Sequence, residues 1–190
     1  MSNPSVIVVY ASAGGRTAET SALAAEAMDS AGARVTGPLN ARGLDASILR
    51  GHDGIMIGEP TWGEGTHLPE FEPFARAMRE LFEPAGLQGA RACAFSGCDR
   101  AYRNFGRALE LIEGLLQDCG AVLLQRGLLI ELSHNEHSRA ATRAWAQQFV
   151  ARLRGELAPQ PHLPRMTRAE VDAVMGVVDR DARETRGLGG

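Results

Sequence analysis

The segment GIMIGEPTWGEG, residues 54–65, predicts both the fold and the functional end of the molecule. Its first four residues form an apolar run, which is typical of a strand buried on both faces. In an open α/β sheet the loop after such a strand borders the ligand crevice. That loop carries Trp62 between Thr61 and Gly63, an aromatic side chain on a bendable backbone that is suited to stacking on a flat ring. A loop tryptophan that packs on its own domain would give the same sequence pattern. The other loops are therefore needed to distinguish a ligand-stacking tryptophan from a structural one.

Composition sets broad limits on the class of protein. The 190 residues, with 44% hydrophobic and 23% charged side chains, predict one soluble globular domain with room for a short appendage. A net charge of −3 gives no support for a nucleic-acid partner, and no apolar run is long enough to predict a membrane segment. The polar start of the chain shows no signal-peptide pattern. Three cysteines without metal-site spacing (Cys93, Cys98 and Cys119) predict reduced thiols and a cytoplasmic location.

Five apolar runs alternate with amphipathic segments along the chain. Strands are predicted at residues 6–10, 34–36, 53–58, 92–95 and 122–130, with a bulge at Gly127 in the last. Helices are predicted from the end of the first loop to about residue 31, and over residues 69–81, 102–119 and 138–153. This alternation predicts a doubly wound α/β fold with a five-stranded parallel sheet in the order 2-1-3-4-5. The crevice then lies where the loops after the first, third and fourth strands meet.

The first of these loops, residues 11–17, joins a strand to the start of a helix. Its Gly14-Gly15 pair lets backbone N–H groups turn toward one point, where the helix dipole favours a phosphate. Ser12 and Thr17 can add hydroxyl groups, and Arg16 can add a positive charge. The loop matches neither the nucleoside triphosphate motif nor the dinucleotide motif.

The third loop, residues 96–105, begins at a strand end and carries Gly97 and a second aromatic side chain, Tyr102. One phosphate-type loop and two loops with aromatic side chains describe a slot for a flat ring with a phosphorylated tail. Flavin mononucleotide (FMN) has that shape.

These motifs resemble those of the flavodoxins. The carrying residues are Tyr10-Ala-Ser12-x-x-Gly15-x-Thr17, Thr61-Trp62-Gly63 and Gly-x-Asp99-x-x-Tyr102-x-x-Phe105. The resemblance covers about residues 5–154 and points to the short-chain type with a C-terminal addition. It implies a flavodoxin-like three-layer α/β/α fold and a low-potential one-electron carrier that holds FMN. It also implies no catalytic residue and two kinds of redox partner, a reductase donor and an acceptor enzyme. No metal is predicted, because the histidines of the sequence have no ligand-like grouping.

The resemblance also implies roles for individual positions. Residues 12–17 hold the phosphate, Trp62 and Tyr102 sandwich the ring, and Asp99 reads its pyrimidine edge. The peptide at Gly63 turns so that its carbonyl accepts from N5–H of the reduced flavin, which a residue without Cβ allows. The full implied set is Ser12, Ala13, Gly14, Gly15, Arg16, Thr17, Pro60, Thr61, Trp62, Gly63, Ser96, Gly97, Cys98, Asp99, Tyr102 and Phe105. Flavodoxins usually have threonine at the positions of Ala13 and Gly14 and a neutral residue at that of Arg16.

Two other functions fit the same pattern. An FMN-dependent NAD(P)H:quinone reductase uses this fold, although no separate nucleotide motif is found. A flavin-free binding module could also have this sequence, since two hydroxyl donors are missing from the first loop.

The chain divides at about residue 154. Residues 1–154 form the predicted FMN-binding domain, and residues 155–190 an extension with a Pro-rich connector and an amphipathic helix at 165–182. The sequence leaves three alternatives for this extension: a mobile segment, a helix packed on its own domain, or a helix that binds a partner or a second copy of the chain.

Overall fold

The structure, a computed structural model, describes residues 3–99, 101, 103–131 and 134–160. The strands are β1 (Ser5–Tyr10), β2 (Arg34–Asn40), β3 (Gly54–Pro60), β4 (Arg91–Cys98), β5 (Val122–Leu123) and β6 (Leu128–Glu131). The α-helices are α1 (Arg16–Ser30), α2 (Glu72–Phe82), α3 (Arg107–Asp118) and α4 (Glu136–Leu153), and a short 3-10 helix covers Ala46–Leu49. Among these residues no helix has the length and apolar character needed to cross a bilayer.

The strands form one parallel sheet in the order β2-β1-β3-β4-β5, which confirms the predicted fold and strand order. The fifth position holds two short strands rather than one. β5 pairs with the beginning of β4, at Arg91 and Ala92, and β6 pairs with its end, at Phe95–Cys98. The interruption spans residues 124–127 and includes Gly127, where the sequence predicts a bulge.

Two helical layers cover the sheet because successive strand residues alternate between its faces. Ile7, Ile55 and Ile57 pack with residues of α2 and α3, whereas Val8 and Met56 pack with residues of α1 and α4. All five side chains have no exposed surface. This explains why the central strands are continuous apolar runs.

The helices begin later or earlier than the sequence predicts. α2 starts at Glu72 rather than at residue 69, and α3 starts at Arg107 rather than at residue 102. Leu81, near the end of α2, is 40% exposed. α4 starts two residues early because Asn135 caps it, accepting from the Ser138 N–H at 2.8 Å.

Candidate functional site

The loops after β1, β3 and β4 meet at the carboxyl edge of the sheet. The N–H of Ala11 donates to the carbonyl of Gly58 at 2.9 Å, and the N–H of Thr61 donates to the carbonyl of Gly97 at 2.9 Å. A Cβ on Gly97 would lie 3.4 Å from the hydroxyl oxygen of Thr17. The three loops therefore approach one another closely around Gly97, where a small residue leaves the space open.

A cavity of about 470 Å³ opens between the three loops. Its lining comes entirely from residues that the sequence singles out: Ser12, Ala13, Gly14, Arg16, Thr17, Pro60, Thr61, Trp62, Gly63, Gly97, Cys98 and Asp99. Gly15, Ser96 and Phe105 lie in the same loops but not in the cavity wall, and Tyr102 lies outside the described residues. The cavity has the size of a small-molecule site.

The first loop leaves the beginning of α1 open to a ligand. Gly15 occupies the N-cap position with φ 82°, and no side chain caps the helix. The N–H groups of the first turn have no partner within an α-helix, so an uncapped start offers free donors. Ser12 Oγ accepts from the Gly15 N–H at 3.0 Å, which closes the loop on itself. A Cβ at Gly14 or Gly15 would meet nothing within 4 Å, so there is open space beside the backbone of this loop.

The second loop forms a tight hairpin that presents Trp62. Trp62 and Thr66 form an antiparallel bridge, and the Trp62 carbonyl accepts from the N–H groups of Gly65 and Thr66 at 2.9 and 3.1 Å. Gly63 and Gly65 have φ of 50° and 88°, in the left-handed region that glycine adopts most easily. The Trp62 side chain is 45% exposed at the rim of the cavity. The hydroxyl oxygen of Thr61 is buried and has no hydrogen-bond partner.

The third loop is held by its own polar groups. Asp99 Oδ1 accepts from the Ala101 N–H at 2.8 Å, and the buried Ser96 hydroxyl donates to the Gly97 carbonyl at 3.2 Å. Cys98 is buried, with its sulfur 3.5 Å from the Ile130 carbonyl oxygen. Asn104 Nδ2 donates to the Glu64 carbonyl at 2.7 Å, so the third loop also holds the tip of the second.

A buried acid and histidine lie beneath the second loop, and their pairing was not predicted from the sequence. Glu59 has no exposed surface, and one of its carboxylate oxygens lies 2.5 Å from His67 Nδ1. The other oxygen accepts from the Leu68 N–H at 2.9 Å. Burial raises the pKa of Glu59, and the hydrogen bond with His67 opposes that shift. One signal was available, because Glu59 continues the inward alternation of Ile55 and Ile57.

The described residues include no cluster of acidic, histidine and cysteine side chains that could hold a metal ion. His134 Nε2 lies 2.8 Å from the hydroxyl of Thr20, which links the start of α4 to α1.

Burial raises the pKa of the Cys119 thiol to about 11, and burial also raises that of Cys93. These two thiols have no exposed surface and belong to the core.

Three comparisons with known proteins agree with this architecture. The family model described as Flavodoxin matches residues 8–145. The chain is 33% identical over 109 residues to a probable flavodoxin 1 of Bacillus subtilis, a match covering 57% of this chain and 66% of the relative. It is 30% identical over 152 residues to a flavodoxin of Nitratidesulfovibrio vulgaris, covering 78% of this chain and 98% of the relative. Oxidised flavodoxin 1 of Bacillus cereus superposes with a TM-score of 0.69 at 28% identity, over 81% of this chain and 99% of that one.

The family match, the parallel sheet with its 2-1-3-4-5 order, and the position of the cavity at the carboxyl ends of the strands lead to one assignment. The chain belongs to the flavodoxin family, whose members are flavin-containing electron-transfer proteins.

Proposed function

We propose that this protein binds FMN in the cavity between its three loops and carries one electron at a time, at low potential, between a reductase and acceptor enzymes. The observation that supports this most is the cavity itself. Twelve residues from three segments far apart in the sequence line one space of about 470 Å³, and each belongs to the predicted binding set. Size, location and lining together fit a flat ring with a phosphorylated tail.

The phosphate would lie at the start of α1. The uncapped first turn and the loop N–H groups supply donors, and the positive end of the helix favours an anion. Arg16, the first residue of the helix, lies in the cavity wall and would add a charge-assisted bond. That bond would offset the threonine hydroxyls that flavodoxins usually have where this chain has Ala13 and Gly14.

The ring would lie against Trp62, with Thr61 beside it in the cavity wall. A buried hydroxyl without a partner is costly, so the Thr61 oxygen fits a group that gains its bond from a ligand. Tyr102 is proposed for the opposite face of the ring, and Asp99 for its pyrimidine edge. Gly63 would let the peptide of this loop turn. Its φ of 50° lies in the left-handed region, which a residue without Cβ adopts at low cost.

Bound FMN supplies the redox chemistry, since it can take up electrons singly. The protein contributes a largely apolar slot with the Asp99 carboxylate in its wall. Both features disfavour additional negative charge in the cavity and therefore favour a low potential. The exposed edge of Trp62 gives a partner a surface that touches the cavity rim.

The remaining parts of the proposal concern setting and organisation. Cys93, Cys98 and Cys119 are buried thiols, which supports a reducing compartment such as the cytoplasm. We propose residues 1–154 as the FMN-binding domain and residues 155–190 as an extension that binds a partner or a second copy. Gln160, at the beginning of this extension, donates through its N–H to the Leu124 carbonyl at 2.9 Å. The helix predicted at 165–182 lies outside the described residues.

The decisive experiment adds FMN to apoprotein and then reduces the complex stepwise under argon. The expected result is tight uptake with quenching of tryptophan fluorescence, followed by two separate one-electron steps. A single two-electron step, together with turnover of NADPH and a quinone without added reductase, would favour the quinone reductase. No uptake of FMN would favour the flavin-free module.

A further inference from the structure

The Trp62 loop is closed at its base by one carboxylate. Glu59 lies at the second-to-last position of β3, and the loop runs from there to Leu68. One oxygen of Glu59 accepts from the Leu68 N–H at 2.9 Å, and the other lies 2.5 Å from His67 Nδ1. The side chain at the start of the loop is therefore bonded to the two residues at its end.

The surroundings of this pair are apolar. Glu59 has no exposed surface, His67 is 8% exposed, and the His67 ring lies 5.3 Å from the ring of Phe71. Leu68 and Phe71 belong to the core cluster beneath the loop. An isolated charge buried in such a place is very costly, so each of the two groups depends on the other as its hydrogen-bond partner.

Neither Glu59 nor His67 lines the cavity, but the segment that follows Glu59 does. Pro60, Thr61, Trp62 and Gly63 follow Glu59 directly and form one wall of the cavity. At the far side of the loop, Asn104 holds the Glu64 carbonyl. Glu59 thus holds the base, while Asn104 holds the tip.

We propose that Glu59 and His67 are positioning residues for the flavin, which set the place of Trp62 and Gly63 by closing the base of their loop. This inference rests on the proposed FMN function. It predicts that losing the hydrogen bonds of Glu59 moves the loop even when the rest of the domain stays folded.

The test compares variants in a Trp145→Phe background, where Trp62 is the only remaining tryptophan. Glu59→Gln can still accept from the Leu68 N–H and donate to His67 Nδ1, so we expect FMN affinity and Trp62 emission close to those of the parent. Glu59→Met removes both bonds, and we expect FMN to bind roughly tenfold or more weakly, with a shifted Trp62 emission in the apoprotein. Glu80→Gln is the matched control, an exposed carboxylate near the end of α2, and it should change neither.

A double variant separates positioning from simple stability. Glu59→Met with His67→Phe replaces both buried polar groups with apolar ones, which commonly restores the free energy of unfolding. Under the proposal FMN binding stays weak in this variant, because the Leu68 N–H is still released. Recovery of FMN affinity together with stability would overturn the proposal.

One measurement needs no substitution. In the native apoprotein, hydrogen exchange at the Leu68 amide should be slow, since its donor is bonded to a buried carboxylate. Exchange there as fast as at the exposed Gly89 would overturn the proposal. The proposed FMN function and the positioning role fail on different results. If the native protein takes up no FMN, the proposed function fails. Equal FMN affinity in the parent and in Glu59→Met overturns only the positioning role.

Discussion

Replacing Gly14 with threonine should tighten the binding of FMN. Gly14 lines the cavity, its φ is outside the left-handed region, and an added Cβ would meet nothing within 4 Å. The backbone and the space therefore both accept a threonine, whose hydroxyl can donate to a phosphate oxygen. One neutral hydrogen bond contributes about 0.5–1.5 kcal/mol, which lowers the dissociation constant about 2- to 12-fold.

The assay is fluorescence titration of the apoprotein with FMN and, separately, with riboflavin, which lacks the phosphate. Gly14→Thr should improve only the binding of FMN. Gly15→Thr is the matched control, because its Cβ would have the same open space but its φ is 82°. A β-branched residue there costs about 1–2 kcal/mol of backbone strain and should lower the melting temperature of the apoprotein. Equal gains for riboflavin and FMN, or no gain at all, would refute a phosphate at the start of α1.

Three further predictions test other parts of the molecule. Arg16→Gln should weaken FMN binding and remove most of its dependence on salt, because Arg16 is exposed and its charge is screened, while riboflavin binding stays unchanged. Asn104→Ala should raise the dissociation constant of FMN about 2- to 12-fold, since the Glu64 carbonyl loses the bond that holds the loop tip; an unchanged constant would show that the tip is held elsewhere. Asp53→Asn should lower the free energy of unfolding at neutral pH. The N–H and hydroxyl of Ser5 donate to Asp53 and hold its pKa below the usual value, so this stability is present above about pH 4 and is lost as the pH falls through the lowered pKa. A difference between the two proteins that persists in acid-unfolding curves well below that pH would contradict this assignment.

The sheet and the three loops were predictable from the sequence because the relevant signals are local. Continuous apolar runs such as that at residues 6–9 occur when both faces of a strand are covered, and the alternation of strands with helices leaves few topologies. Once the order 2-1-3-4-5 is given, the loops after β1, β3 and β4 must meet. The sequence placed the cavity by this route without any information on side-chain contacts.

The ends of the elements were less predictable because they depend on tertiary contacts. α3 begins at Arg107, since Gly106 adopts a left-handed φ of 72° just before it. The residues from 103 to 106 form turns instead, and Asn104 among them bonds to the Glu64 carbonyl. Helical periodicity carries no information about such a bond. In the same way the fifth strand is interrupted where Trp145 Nε1 donates to the Arg126 carbonyl at 2.9 Å.

The buried Glu59–His67 pair lies outside the motifs by which the flavin-binding residues were predicted. A comparison of motifs selects residues that border the cavity, because their chemistry explains a ligand. Glu59 does not border the cavity. It occupies an inward position after Ile55 and Ile57, where burying a carboxylate without a partner would cost too much free energy. An acid at such a position therefore predicts a buried donor nearby, and His67 and the Leu68 N–H are those donors. The loop that carries Trp62 is held from inside the core as well as from the surface, so residues outside the binding motif determine how well the motif can work.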